Sequence, residues 1–139
     1  MWIRLVIEMY FWWSLSIILH EVGHVLSAVC FHIPILSLKI GNPCFVNFKI
    51  GKVLFSPFIS ECYVEVEEEA LLKRKKVIRC IYFLSGILMN FLLLVLALLY
   101  GKGLMQIWLI FINAVHIFVN ITPFWEGSDG NLLLRYRKM

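Results

Sequence analysis

The stretch Ser16-Ile17-Ile18-Leu19-His20-Glu21-Val22-Gly23-His24-Val25-Leu26-Ser27-Ala28 sets three ionisable groups inside an apolar run that extends from about Ile3 to Val29. A run of that length suffices for a helix that crosses the hydrocarbon core of a bilayer, which takes about 20 residues. On a helix, positions four apart share a face one turn apart, so the imidazoles of His20 and His24 can reach one zinc ion. Glu21 falls on the neighbouring edge, where it can take a proton from a water acidified by the metal and so generate the nucleophile that attacks a peptide carbonyl. The plain structural alternative is a polar seam that holds a helix bundle together. Ionisable groups within a span are costly and functional by default, which favours the catalytic reading.

The rest of the composition agrees with a lipid environment. Of 139 residues, 61% are hydrophobic and 16% charged, and the mean hydropathy is +0.85, whereas a soluble domain is about a quarter charged. The length suits one domain, residues 1–139, with a single core. Cys30, Cys44, Cys62 and Cys80 are scattered without a C-x-x-C pair, so free thiols are expected. The net charge of +4 comes from basic residues clustered at the ends of apolar segments, not from a stripe, and nucleic acid is not an expected partner. The first apolar run outlasts a signal-peptide h-region, and Val29 is too large for a lipoprotein cleavage box ending at Cys30, so a retained span is expected.

Two further spans are expected at about 78–99 and 104–121, the latter stopped by Pro123. Between the first and second, residues 33–76 have a different texture. Pro34, Gly41, Pro43, Gly51 and Pro57 separate β-prone runs such as Phe45-Val46-Asn47-Phe48-Lys49-Ile50 and Cys62-Tyr63-Val64-Glu65-Val66-Glu67. The expected fold is an all-α membrane protein of three core transmembrane helices, with a small β-rich loop at the membrane interface. The acidic run from Glu65 to Glu69 reads as a solvated lead into the second span. Lys73, Arg74, Lys75, Lys76 and Arg79 precede that span, and Arg135, Arg137 and Lys138 follow the third. Basic residues collect on the cytoplasmic side, so the N-terminus is expected outside, and the C-terminus and the site toward the cytoplasm.

Two histidines leave a catalytic zinc site one protein ligand short. The first and third spans deliver their C-terminal ends to the same side, and there Asp129 is the best candidate, with Glu126 as its local rival. Asn90, Asn113, His116 and Asn120 are candidate linings of the polar cavity that water would need. Gly86 beside the small Ser85 would allow close helix approach, and Asn90 could bond across helices.

Three separated patterns now stand together: His20-Glu21-Val22-Gly23-His24 in the first span, Gly86-x-x-x-Asn90 in the second, and Asn120-x-x-Pro123 leading to Asp129-Gly130 after the third. In kind, order and helix placement they resemble the site-2 protease group of intramembrane zinc metallopeptidases, the peptidase M50 type. Fainter likeness runs through Lys39-Ile40-Gly41-Asn42-Pro43 and Cys62-Tyr63-Val64. The resemblance implies zinc as cofactor, His20, His24 and Asp129 as ligands, Glu21 as general base and acid, and Asn120, Pro123, Asn90 and Gly86 as residues near the substrate or shaping the site. It also implies the catalytic core alone, without PDZ or CBS domains. Two departures stand out: the interval from Asn120 to Asp129 is one residue longer than usual, and Ser128 replaces a leucine.

The expected function is hydrolysis of peptide bonds in or near transmembrane segments of a membrane-tethered regulator, signal-peptide remnant or pro-peptide, in a bacterial plasma membrane. The partners are that substrate and the lipid bilayer, with room for a regulatory protein. The alternative is an inactive relative serving as membrane adaptor or metal-binding subunit.

Overall fold

A computed structural model describes residues 2–42 and 47–137. Pro43, Cys44, Phe45, Val46 and Lys138 lie outside the described residues. The first helix, α1, spans Trp2–Cys30. It stops where the Ile33 N–H reaches back to the Ala28 carbonyl at 2.8 Å, across His32 in the left-handed region at φ 53°. Pro34 follows, unable to continue a helix. His32 therefore serves the turn.

Next come four short strands, β1 (Ile35–Ile40), β2 (Phe48–Ile50), β3 (Val53–Phe55) and β4 (Cys62–Val66). They form one sheet in the order β2-β3-β1-β4, in which β1 runs parallel to β3 and antiparallel to β4. A short helix, α2 (Glu68–Leu72), leads to α3 (Lys76–Tyr100), α4 (Gly103–Ile121) and α5 (Asp129–Arg137). α4 ends as its proline requires: Thr122, just before Pro123, is extended at φ −78°, ψ 122°.

The three long helices match the expected spans to within about two residues at each end, and each is long and apolar enough to cross a membrane. Their packing inverts the pattern of a soluble bundle. The buried residues of α1 are Ser14, Ser16, His20, Gly23, His24, Ser27 and Ala28, while Phe91, Leu92, Leu98, Leu99, Phe111 and Phe118 on α3 and α4 face outward. Polar groups turned inward and apolar ones outward are what a surrounding of lipid demands.

The expected strand-rich loop is present, and two helices were not anticipated. The acidic run is not simply a solvated lead: Glu68 and Glu69 form the first turn of α2, where carboxylates favour the positive end of the helix dipole. Glu68 accepts a hydrogen bond from the Tyr136 hydroxyl of α5 at 2.6 Å. A cluster of Ala28, Ile33, Leu71, Tyr82 and Phe83, with Leu132, Leu133 and Tyr136 packed against it, joins the end of α1, the start of α3, and α2 and α5. The first basic cluster, Lys73 to Arg79, and Arg135 on α5 belong to elements at this end of the molecule.

α1 and α3 meet at two glycines. A Cβ on Gly23 would lie 2.5 Å from the Ser85 carbonyl oxygen and 3.2 Å from the Gly86 Cα. Both neighbours are backbone, so neither can swing aside. Gly23→Val should destabilise the detergent-solubilised protein by about 1–3 kcal/mol, the usual range for overpacking, read as a lowered melting temperature. An unchanged melting point would mean that the helices are not in this contact.

Candidate metal centre

His20 and His24 present their rings to α3, and each ring is held by its Nδ1. His24 Nδ1 lies 2.9 Å from the Tyr82 carbonyl oxygen, and His20 Nδ1 is bonded to Asn90 Oδ1. The two Nε2 atoms are thereby aimed at a common point and stand 3.3 Å apart. Gly86 forms the wall behind them: a Cβ there would lie 2.5 Å from both Nε2 atoms. Any side chain at Gly86 would displace the imidazoles.

The third group arrives from α5. Ser128 caps this helix, accepting the Asn131 N–H at 3.2 Å on its hydroxyl while donating to the Thr122 carbonyl at 2.9 Å. The Asn131 amide ties back to the Pro123 carbonyl at 2.8 Å, and Gly130 packs directly on the end of α4, where a Cβ would collide with the Ile121 carbonyl. The serine that replaces the usual leucine thus fixes the turn that starts α5 on Asp129. Asp129 Oδ2 stands 3.1 Å from His20 Nε2, and Oδ1 3.2 Å from His24 Nε2. Glu126 is exposed to solvent, so Asp129 is the carboxylate that joins the histidines.

These residues fit a metal ion. With both Nδ1 atoms engaged, the Nε2 lone pairs and the carboxylate oxygens face one another in a buried space, and Asp129 Oδ2 receives no conventional hydrogen bond. A tetrahedral ion with ligands at 2.0–2.1 Å has edges of about 3.3 Å, and the separations here are 3.1–3.3 Å. Two imidazoles and a carboxylate are a donor set that zinc accepts, with a fourth position open. Burial alone would push the Asp129 carboxyl up; bonds and charge from the two facing imidazoles outweigh it and hold the group below the ordinary carboxylate value.

Glu21 lies beside this group at the meeting of two clefts. One, about 200 Å³, is lined by Tyr63, Val64, Tyr82, Phe83, Gly127 and Leu132 around the three donors. The other, about 370 Å³, opens between α1 and α4, past Trp13, Ile17, Val115, His116 and Val119. Glu21, His20, Cys62 and Asn120 border both. β4 is the outer strand of the sheet, and its odd-numbered neighbours bond toward β1, as the Gly41–Glu61 and Glu67–Pro34 backbone bonds show. Its even-numbered residues therefore face away from the sheet, and the Val64 N–H donates to Glu21 Oε2 at 3.1 Å. The Cys62 thiol is pushed up to about 11, chiefly by burial, and so stays protonated near neutrality.

Two expected linings are placed differently. Asn90 and Asn113 are fully buried between helices and border neither cleft, because each is consumed in bonds to its neighbours; His116 and Asn120 do line clefts. Pro123 contributes its carbonyl to the turn before α5, as described above. The residues that sequence reasoning missed are Tyr82, which acts through its backbone, Val64, likewise, Ser16, and Ser128 as a cap. Only Ser128, a serine three residues before a second polar residue in a proline-glycine turn, carried a readable signal.

Metal content provides a direct check. The protein purified in mild detergent should hold about one zinc per chain. His24→Ala and Asp129→Ala should lose it and Glu126→Ala should keep it, and loading should fall on acidification as protons compete for the donors. Zinc retained by Asp129→Ala would move the third ligand elsewhere.

Residues 9–106 match the model of peptidase family M50. The matched segment contains His20, Glu21, His24, Gly86 and Asn90 and ends before Asn120, Pro123 and Asp129. No curated protein sequence matches the chain significantly. The match extends over well more than half of the chain, and the protein accordingly belongs to peptidase family M50.

Proposed function

We propose that the protein is an intramembrane zinc endopeptidase that cuts membrane-tethered substrates in or near their transmembrane segments. One observation carries this reading: three buried donors converge at tetrahedral spacing with a carboxylate, Glu21, and an open strand edge beside them. His20, His24 and Asp129 would hold the metal. Zinc bound there would supply Lewis acidity, making water acid enough to yield a proton near neutral pH.

The chain's own groups do the rest. Glu21 takes the water's proton on a carboxylate oxygen and returns it to the amine nitrogen as the peptide bond breaks, so the proton balance closes on one side chain. A substrate helix shields its peptide bonds by internal hydrogen bonding and must be drawn out before cleavage. The outward-facing backbone of Cys62 and Val66, with the Val64 carbonyl, can pair with the extended segment and replace those lost bonds. Asn120 borders both clefts and would meet the substrate beside Glu21.

On this reading the three long helices cross a bacterial plasma membrane with the N-terminus outside, and the basic end, with the site, toward the cytoplasm. Membrane-tethered regulators, signal-peptide remnants and pro-peptides are the substrate classes that fit.

Glu21→Gln separates metal from chemistry. It should keep zinc while cleavage of a transmembrane peptide falls at least about 100-fold, the lower end of what a general base contributes. Zinc-loaded wild type without proteolysis would instead favour a membrane adaptor. Val66→Pro, which removes an outward-facing N–H of β4, should weaken cleavage and leave zinc in place; equal cleavage by this variant would discard the strand-pairing step.

A further inference from the structure

The polar groups buried between α1, α3 and α4 form a bonded chain with a fixed polarity, and that polarity ends on a metal-binding nitrogen. It starts on α4, where Asn113 Nδ2 donates to the Leu109 carbonyl at 2.8 Å. A carbonyl only accepts, so this bond decides which end of the Asn113 amide is oxygen. Asn113 Oδ1 then faces the other helices, 2.9 Å from Asn90 Nδ2 and 2.9 Å from the Ser16 hydroxyl. Asn90 Nδ2 also reaches Ser16 Oγ at 3.0 Å. Both protons of the Asn90 amide are thus taken, and its oxygen is turned to His20 Nδ1. Because an amide oxygen cannot donate, Nδ1 must carry the imidazole proton, and Nε2 is left with its lone pair facing Asp129 and His24.

The two histidines differ in how this is secured. His24 is oriented by the Tyr82 backbone carbonyl, which the helix fixes. His20 is oriented by a side-chain amide, which could in principle turn over and offer its NH₂ to Nδ1. That reversal would put the imidazole proton on Nε2, in the centre of the donor set. What forbids it is the Asn113 oxygen, which a reversed amide would meet with its own oxygen and which is anchored in turn on Leu109; Ser16, fully buried like Asn113, takes the second Asn90 proton and also touches His116 Nδ1 at 3.0 Å.

We propose that Asn113 and Ser16 are positioning residues of the metal centre, which act through Asn90 to hold His20 in the tautomer and ring orientation that present Nε2 to the ion. The inference rests on the metal reading above, but its primary readout needs no metal. Outer bonds of this kind are worth about ten- to a hundredfold in metal affinity.

The test uses the whole chain with ¹⁵N-labelled histidine in detergent micelles, stripped of metal, at mildly alkaline pH. Nitrogen chemical shifts should report a single Nδ1–H tautomer at His20 and at His24 in the wild type. In Asn113→Leu, and in the milder Ser16→Ala should the first fail to fold, His20 should become a mixture of tautomers while His24 keeps its own. Zinc affinity, measured by competition with a chelator, should weaken by about tenfold or more. A pure Nδ1–H His20 in both variants with unchanged zinc affinity would overturn the proposal, as would equal disturbance of both histidines, which is what general loosening of the bundle produces. A wild type that binds no zinc yet shows the selective change at His20 would support the positioning chain and reject the metalloprotease reading.

Discussion

On the three long helices, buried polar atoms have almost only one another for partners, and the architecture follows from that constraint. An unpaired polar group among apolar surroundings costs several kcal/mol, so serines, asparagines and histidines of α1, α3 and α4 turn inward and bond across the helix contacts. Helices packed this way need close approach, which Gly23 and Gly86 permit. The convergence of His20 and His24 with Asp129 is a place where the mutual pairing is incomplete. There three sets of lone pairs meet without enough protons to separate them, and a cation is what completes the arrangement.

The end of the molecule that holds the site is also where its soluble-like packing is concentrated. α2 and α5 are short and would be marginal alone, yet they are tied together by the Tyr136–Glu68 hydrogen bond and by apolar packing on Phe83 and Leu71. The third donor therefore depends on contacts remote from the histidines. The sheet is part of the same assembly: β4 stands beside Glu21, so its register against β1 determines which backbone N–H meets the carboxylate.

The histidine pair, Glu21 and the three long helices were legible because each is written in one local pattern: a four-residue spacing, an apolar run, a proline stop. Asp129 was legible only through topology and resemblance, since nothing near it in the chain marks it as facing α1, and Glu126 reads equally well in isolation. The orienting roles of Tyr82 and Val64 could not be read at all, because a backbone carbonyl or N–H has no signature in the side chain that carries it. Asn90 and Asn113 looked like cavity linings because polarity in a span signals burial against something polar but does not say whether that partner is water or another amide. Helix α5 was missed for a related reason: a nine-residue segment with one serine cap has little periodic pattern to show.

The split of the donor set between α1 and α5 also orders events during biosynthesis. A nascent chain that has laid down its first helix already carries both imidazoles and Glu21, but the carboxylate that completes the set follows only after α3 and α4 have been made. On the proposed reading, the catalyst cannot assemble while its own helices are still threading into the membrane.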